Sequence, residues 1–368
     1  MTALRIVAAV GLVVAIGCRG PRVEREAARC THVQAVRQVM GTALCEDAWT
    51  CARPPGGRFD RVGLHRLALC AETPGPVVLY LPGMHMNGEL ANVEARSDLR
   101  LYLAAAGMRT WGFDYRTHVV PADASSGDLD VMKHWTSDLF AGDIAWALGF
   151  VRSRDPAPIV LAGFSQGAAL AYRVASQARG ALGGLVILDG AAGGGRDSDH
   201  GDAAIDVGGS RLPYDVRAKL LAAVIADPRG PSPVAGFPSA GAALTELLYS
   251  APSFGGNGGL SAARDGVTDV QVVARLLRTY DRWWPRAALD ADAPSRPGQT
   301  LPVLAFASTN MGPTWVERVR ASAQAYGGPN ATVRELGGYG HVDVLVARRA
   351  PQDVFEPVRA WIASRSPS

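Results

Sequence analysis

One stretch constrains the fold more than any other: PIVLAGFSQGAALAYRVASQA, residues 158–178. It starts as a short apolar strand, crosses the pattern Gly-x-Ser-x-Gly, and continues with the Ala-rich spacing of a helix. A strand that runs straight into a helix needs a cramped turn, and Ser165 stands in it. At Gly163 and Gly167 any side chain would collide with the neighbouring strand or helix. The turn holds the Ser165 hydroxyl out at the head of a helix, where free N–H groups and partial positive charge favour a developing anion.

The alternation of strand-like and helix-like segments extends on both sides of this stretch. RVGLHRLAL (61–69), PVVLYLPG (76–83), TWGFDY (110–115), GGLVILDG (183–190) and ATVREL (331–336) read as strands. SDLRLYLAAAGM (97–108), residues 136–153 and PQDVFEPVRAWIA (351–363) read as helices, the second with Leu139, Ile144, Leu148 and Val151 on one face. The expected class is therefore α/β, a mostly parallel central sheet flanked by helices. The chain has 368 residues, 48% of them hydrophobic, which is enough for a large core. Its net charge of +3 is close to neutral for this size, and the basic residues are scattered, which argues against a nucleic-acid partner.

The first residues read as an address rather than as fold. MTALRIVAAVGLVVAIGC has a basic start, an apolar run from Ile6 to Ile16 that is too short to span a bilayer, and Gly17-Cys18. That layout predicts export, with 1–18 as signal peptide. The small residues before Cys18 resemble the lipobox of bacterial lipoproteins, which would make a lipidated Cys18 a membrane anchor; the alternative is an ordinary cleaved signal. Cys30, Cys45, Cys51 and Cys70 remain, an even set that in an exported chain predicts two disulfides of undetermined pairing. They fall in a Cys-containing N-terminal extension, 19–70, and are expected to staple it to the first strand. Neither His32 nor His65 completes a zinc pattern with them.

Two further segments stand where Ser165 needs partners. LPGMH (81–85) ends a strand upstream and can offer a backbone N–H, so the N–H groups of Met84 and Gln166 are the candidate oxyanion hole. GGYGHVDVL (337–345) puts His341 in a glycine-rich loop between a strand and the last helix, the histidine with the right chain order to serve Ser165.

With GFSQG, LPGMH and GGYGHVD in this order, the chain resembles the α/β-hydrolases from about residue 76 to 364. AAGMRTWGFDYRTH and GHVDVLVARRAPQDVFEPV are similar to segments of the acid lipase branch. The resemblance implies a Ser–His–acid triad, an acyl-enzyme intermediate and no cofactor. It also implies a carboxylate after the strand PVLAFAS, but ASTN ends there in Asn310, and no Asp or Glu occurs between Asp292 and Glu317. Asp189, at the tip of GGLVILDG, is the preferred acid, since some lipases of this fold place theirs on that strand. Glu317 and a neutral Ser–His–Asn310 arrangement remain alternatives. Asp343 is too close behind His341 to face its ring and is read as a loop cap.

Between Asp189 and Leu301 the sheet pattern breaks off, the place for a helical cap (191–300) in a core made of 71–190 and 301–368. Candidate helices lie at 212–227, 239–250 and 268–283, the last ending in Tyr280-Asp281-Arg282-Trp283-Trp284. The two tryptophans could wall an acyl pocket or form the cap's own core. DSDHGD (197–202) is acidic but lacks the spacing of a calcium loop, which favours a solvated loop. The expected function is an esterase or lipase acting on a small-molecule or lipid ester. A peptidase or amidase on the same fold and a catalytically silent binding protein are the alternatives.

Overall fold

A computed structural model describes residues 30–39, 41–71, 74–92, 94–177, 182–193, 203–207, 212–289 and 300–365. Cys18 and the DSDHGD stretch lie outside the described residues. Nine strands form one sheet: β1 (Cys30–Val39), β2 (Thr42–Ala52), β3 (Arg61–Leu69), β4 (Val77–Leu81), β5 (Arg109–Asp114), β6 (Ile159–Phe164), β7 (Leu182–Leu188), β10 (Val303–Ser308) and β11 (Ala331–Leu336). Their order is β1-β2-β3-β5-β4-β6-β7-β10-β11. The first three run antiparallel to their neighbours, and every pairing from β5 onward is parallel.

The central strands are apolar at every position because both faces are covered. Val77, Leu79 and Leu81 of β4 enter one core, and Val78 and Tyr80 enter the other. Helices α1 (Leu99–Ala105), α2 (Ser137–Arg154), α3 (Gln166–Gln177), α7 (Pro313–Gly327) and α8 (Glu356–Ala363) supply the flanking layers. In α2, Ile144, Leu148 and Val151 are buried as the spacing requires, and Leu139 is half-buried at the N-terminal end.

Within residues 30–69, β1, β2 and β3 belong to the central sheet. The β1–β2 hairpin continues the sheet through β3, and Cys30–Cys51 and Cys45–Cys70 are the disulfides, one across the hairpin and one from β2 to the end of β3. Two disulfides fit an oxidising compartment. From β3, Arg66 reaches Asp155 at the end of α2 with two hydrogen bonds of 2.9 and 3.1 Å, where Arg109 and the Trp111 indole also donate.

Between β7 and β10 lie α4 (Tyr214–Ala226), α5 (Ala240–Tyr249), α6 (Val270–Arg278) and a two-stranded ribbon of β8 (Ala204–Asp206) with β9 (Trp283–Pro285). Helix α6 ends at Arg278, earlier than the pattern suggests. The chain then turns and becomes extended at Trp283. Trp284 is fully buried between Tyr115 and Phe140, so it is core, while the Trp283 indole donates to Pro121 O. Among the described residues no helix is long and apolar enough to cross a membrane.

Candidate active site

Ser165 follows β6 and begins α3 with φ +53°, a left-handed conformation that an L-residue adopts only when its surroundings impose it. The flanking glycines explain how. A Cβ at Gly163 would come 2.5 Å from Gly167 O, and one at Gly167 would come 2.2 Å from Leu81 O. No other residue fits either place.

The structure brings three of the sequence-derived site residues into one hydrogen-bonded line. His341 Nε2 lies 2.8 Å from Ser165 Oγ, and His341 Nδ1 lies 2.6 Å from Asp189 Oδ2. A carboxylate can only accept, so Nδ1 carries the proton and donates it, leaving Nε2 to accept from the serine hydroxyl. Asp189 is fully buried, and its φ of +46° turns the carboxylate back beneath the histidine. Its other oxygen is also occupied: Oδ1 accepts the Ser308 N–H at 2.7 Å and the Trp315 indole N–H at 3.0 Å. Three N–H groups therefore fix both oxygens.

The alternatives for the acid point elsewhere. Glu317 is exposed and pairs with Arg320 one helical turn on. Asn310 donates from Nδ2 to Gly338 O at 2.9 Å, and its N–H bonds Tyr339 O; beside it Thr309 Oγ1 donates to Leu336 O and accepts the Gly338 N–H. This turn is the clasp of the histidine loop. A charge is not needed there, and an amide donor suits a carbonyl acceptor.

Asp343 does more than cap its loop. Fully buried, it accepts from Gly340 N at 2.8 Å and from three groups of the 191–300 segment: Ser261 Oγ at 2.6 Å, Thr268 Oγ1 at 2.7 Å and Ala262 N at 2.8 Å. Aromatic rings pack around the imidazole: Phe164 at 4.8 Å, Phe254 at 5.2 Å and Trp315 edge-on at 6.0 Å between ring centres.

On the other side of Ser165, Met84 and Gln166 are half-buried, and their backbone N–H groups have no acceptor among the described residues. The next residue, His85, is buried at φ +62°. Burial pushes its pKa down to about 4, so the ring is neutral and donates Nδ1–H to Asp281 O at 3.1 Å. Asp281 in turn donates its N–H to His85 O at 2.7 Å and accepts from Asn87, Thr117 and His118 on its carboxylate. His118 is held charged: burial opposes its charge, but hydrogen bonds to Asp281 and Glu89 outweigh it and raise its pKa to about 11.

Sequence reading missed Trp315, Phe254 and Asp281. Only their place in the fold shows what they touch; a tryptophan in the first turn of a helix carries no signal of its own. Among the described residues no group of three or more His, Cys, Asp or Glu is arranged to hold a metal ion.

Comparison with known structures agrees with this architecture. A proposed lipase from Sulfolobus solfataricus superposes with a TM-score of 0.72 at 24% identity, over 88% of this chain and 95% of that one. An alpha/beta hydrolase fold protein from Nakamurella multipartita superposes with a TM-score of 0.50 at 19% identity, over 84% of this chain and 96% of that one. No family model matches the chain, and no curated protein matches it in sequence. The chain has the α/β-hydrolase fold, with a mostly parallel sheet between helices and a helical insertion after the strand that ends before Asp189. At these identities the likeness extends to fold alone.

Proposed function

We propose that the protein is a serine hydrolase that cleaves carboxylic esters, with Ser165 as nucleophile, His341 as general base and acid, and Asp189 as the triad carboxylate. The observation that carries this reading is the unbroken line from Ser165 Oγ through both ring nitrogens of His341 to Asp189 Oδ2, at 2.8 and 2.6 Å. Ser165 Oγ attacks the ester carbonyl carbon as His341 Nε2 takes its proton. The N–H groups of Met84 and Gln166 receive the oxyanion, helped by the N-terminus of α3. When the tetrahedral species collapses, His341 returns the proton to the leaving alcohol, and an acyl group stays on Ser165. Water enters along the same path, deprotonated by His341, and releases the acid. Asp189 keeps the proton on Nδ1 and offsets the imidazolium charge. No step calls for a cofactor.

The 191–300 segment is then a cap over the site, and the substrate is a small-molecule or lipid ester. The disulfides and the leader-like start support export, with Cys18 the residue a lipid would occupy. Turnover of short and long p-nitrophenyl esters and of matched anilides tests the reaction class. Ester cleavage that disappears in Ser165→Ala is the expected result. Preference for anilides would make the protein an amidase, and equal ester turnover by wild type and Ser165→Ala would end the catalytic reading.

A further inference from the structure

We infer that residues 258–281 of the cap are a fixed part of the catalytic machinery rather than a lid, and that the substrates are therefore water-soluble esters taken up one dissolved molecule at a time. The inference rests on the ester-hydrolase reading above and says which esters that site receives.

The cap grips the two loops that carry the chemistry. On the histidine side, the backbone N–H of His341 itself donates to Gly259 O at 2.7 Å, and Val342 N–H donates to Leu260 O at 3.0 Å. Buried Asp343, two residues after the histidine, holds Ser261, Ala262 and Thr268, and Arg348 N–H reaches Val267 O beside the bridge between Thr268 and Ala347. On the oxyanion side, Asp281 and His85 exchange hydrogen bonds through Asp281 N–H and His85 Nδ1–H, and Asn87 Nδ2 donates to Thr279 O at 2.7 Å. Beneath both, cap residues Leu244, Leu248, Val273 and Leu276 share one apolar cluster with Val342 and Leu345.

A lid must open and close again over the site in every turnover. Here, lifting residues 258–268 would strip the main-chain partner from His341, and lifting 279–281 would release the residue next to Met84. Opening would dismantle the site instead of exposing it. The described cap residues also do not seal the nucleophile off, since Ser165 is half-buried. Access without lid movement suits a dissolved ester and gives an oil–water interface nothing to switch.

The test has one arm on substrate, one on the nucleophile and one that needs neither. Hydrolysis of tributyrin should rise hyperbolically with dissolved ester and level off at its solubility limit; a rise of about tenfold or more at the limit overturns the inference. Diethyl p-nitrophenyl phosphate should phosphorylate Ser165, displacing p-nitrophenolate, at a rate that detergent micelles change by less than about twofold. A roughly tenfold acceleration by micelles contradicts a fixed cap, whereas no reaction at Ser165 under any condition removes the serine-hydrolase reading and the substrate class with it. Hydrogen exchange is independent of both: the amides of His341, Val342, Ala262 and Asp281 should be protected to within about tenfold of those in β6, and protection lower by about a thousandfold would mean that the cap opens locally.

Discussion

Replacing Asp189 by Asn perturbs the site with almost no change of shape, and the surrounding donors determine how the new side chain sits. Ser308 N–H and Trp315 Nε1–H both point at Oδ1, at 2.7 and 3.0 Å, so the amide oxygen must stay there. The amide nitrogen then faces His341 Nδ1, where Asp189 Oδ2 stood at 2.6 Å. Two donors cannot share that contact, so the ring moves its proton to Nε2 and presents Nδ1 as acceptor. Nε2 can no longer take the Ser165 proton. A wrong tautomer of this kind costs about 10⁴ in turnover, roughly 5.4 kcal/mol of transition-state stabilisation. The reversed amide would set its NH₂ against two N–H donors in a fully buried place and is excluded by the same argument. The assay is kcat/KM for p-nitrophenyl butyrate beside thermal unfolding, with Asn310→Asp as companion. Asp189→Asn should fold and lose about four decades of turnover, while Asn310→Asp, which leaves the triad whole and loses only the clasp to Gly338 O, should lose far less. Asp189→Asn activity within about tenfold of wild type would refute the role given to this carboxylate.

Three further outcomes follow from individual contacts. Trp315→Phe removes one of three N–H groups on Asp189 but keeps the ring beside His341; the carboxylate is held less firmly under the imidazole, and kcat falls about tenfold with KM unchanged. An unchanged kcat would reduce Trp315 to packing. Asp343→Ala leaves the buried N–H groups of Ala262 and Gly340 without an acceptor at roughly 1–3 kcal/mol each, whereas Asp343→Asn keeps the acceptor and lets the Ser261 and Thr268 hydroxyls rotate to receive its NH₂; urea unfolding should separate the two variants clearly. For His118, the folded pKa of about 11 lies above the ordinary 6.5, so its contribution is complete below about pH 6.5 and disappears as pH rises through 11. The difference in Tm between wild type and His118→Gln should therefore shrink between pH 7 and pH 11, and a constant difference would show that the His118–Asp281 charge pair contributes nothing.

What was legible in the sequence follows local rules. The glycines at 163 and 167 are demanded by contacts within the strand–turn–helix unit, and apolar runs such as VVLYL and IVLAGF declare strands covered on both faces, so sheet and serine could be read without coordinates. Asp189 was a candidate only through the resemblance to lipases that place their acid on that strand; in the structure β7 lies between β6 and β10. The N-terminal hairpin was less legible: β1 is an exposed edge strand whose alternation is weak, and Val33 and Val36 remain at the surface. Asn310, Trp315 and Asp281 were not legible as to role. Each acts through a partner 28, 126 or 196 positions away, and nothing in local composition signals such a contact. The turn at Asn310 that looked like a vacated acid position in fact clasps the histidine loop, which explains a neutral amide there.

If the triad works as proposed, Ser165 carries the acyl group between the two half-reactions. Quenching the reaction with p-nitrophenyl butyrate in acid within the first turnovers and mapping the protein by mass spectrometry measures this directly. A butyryl adduct is expected on the peptide containing Ser165, formed with a burst of p-nitrophenolate equal to the enzyme present and lost in Ser165→Ala. Turnover of the ester with no adduct at Ser165 and no burst, or an adduct on any other residue, would contradict it.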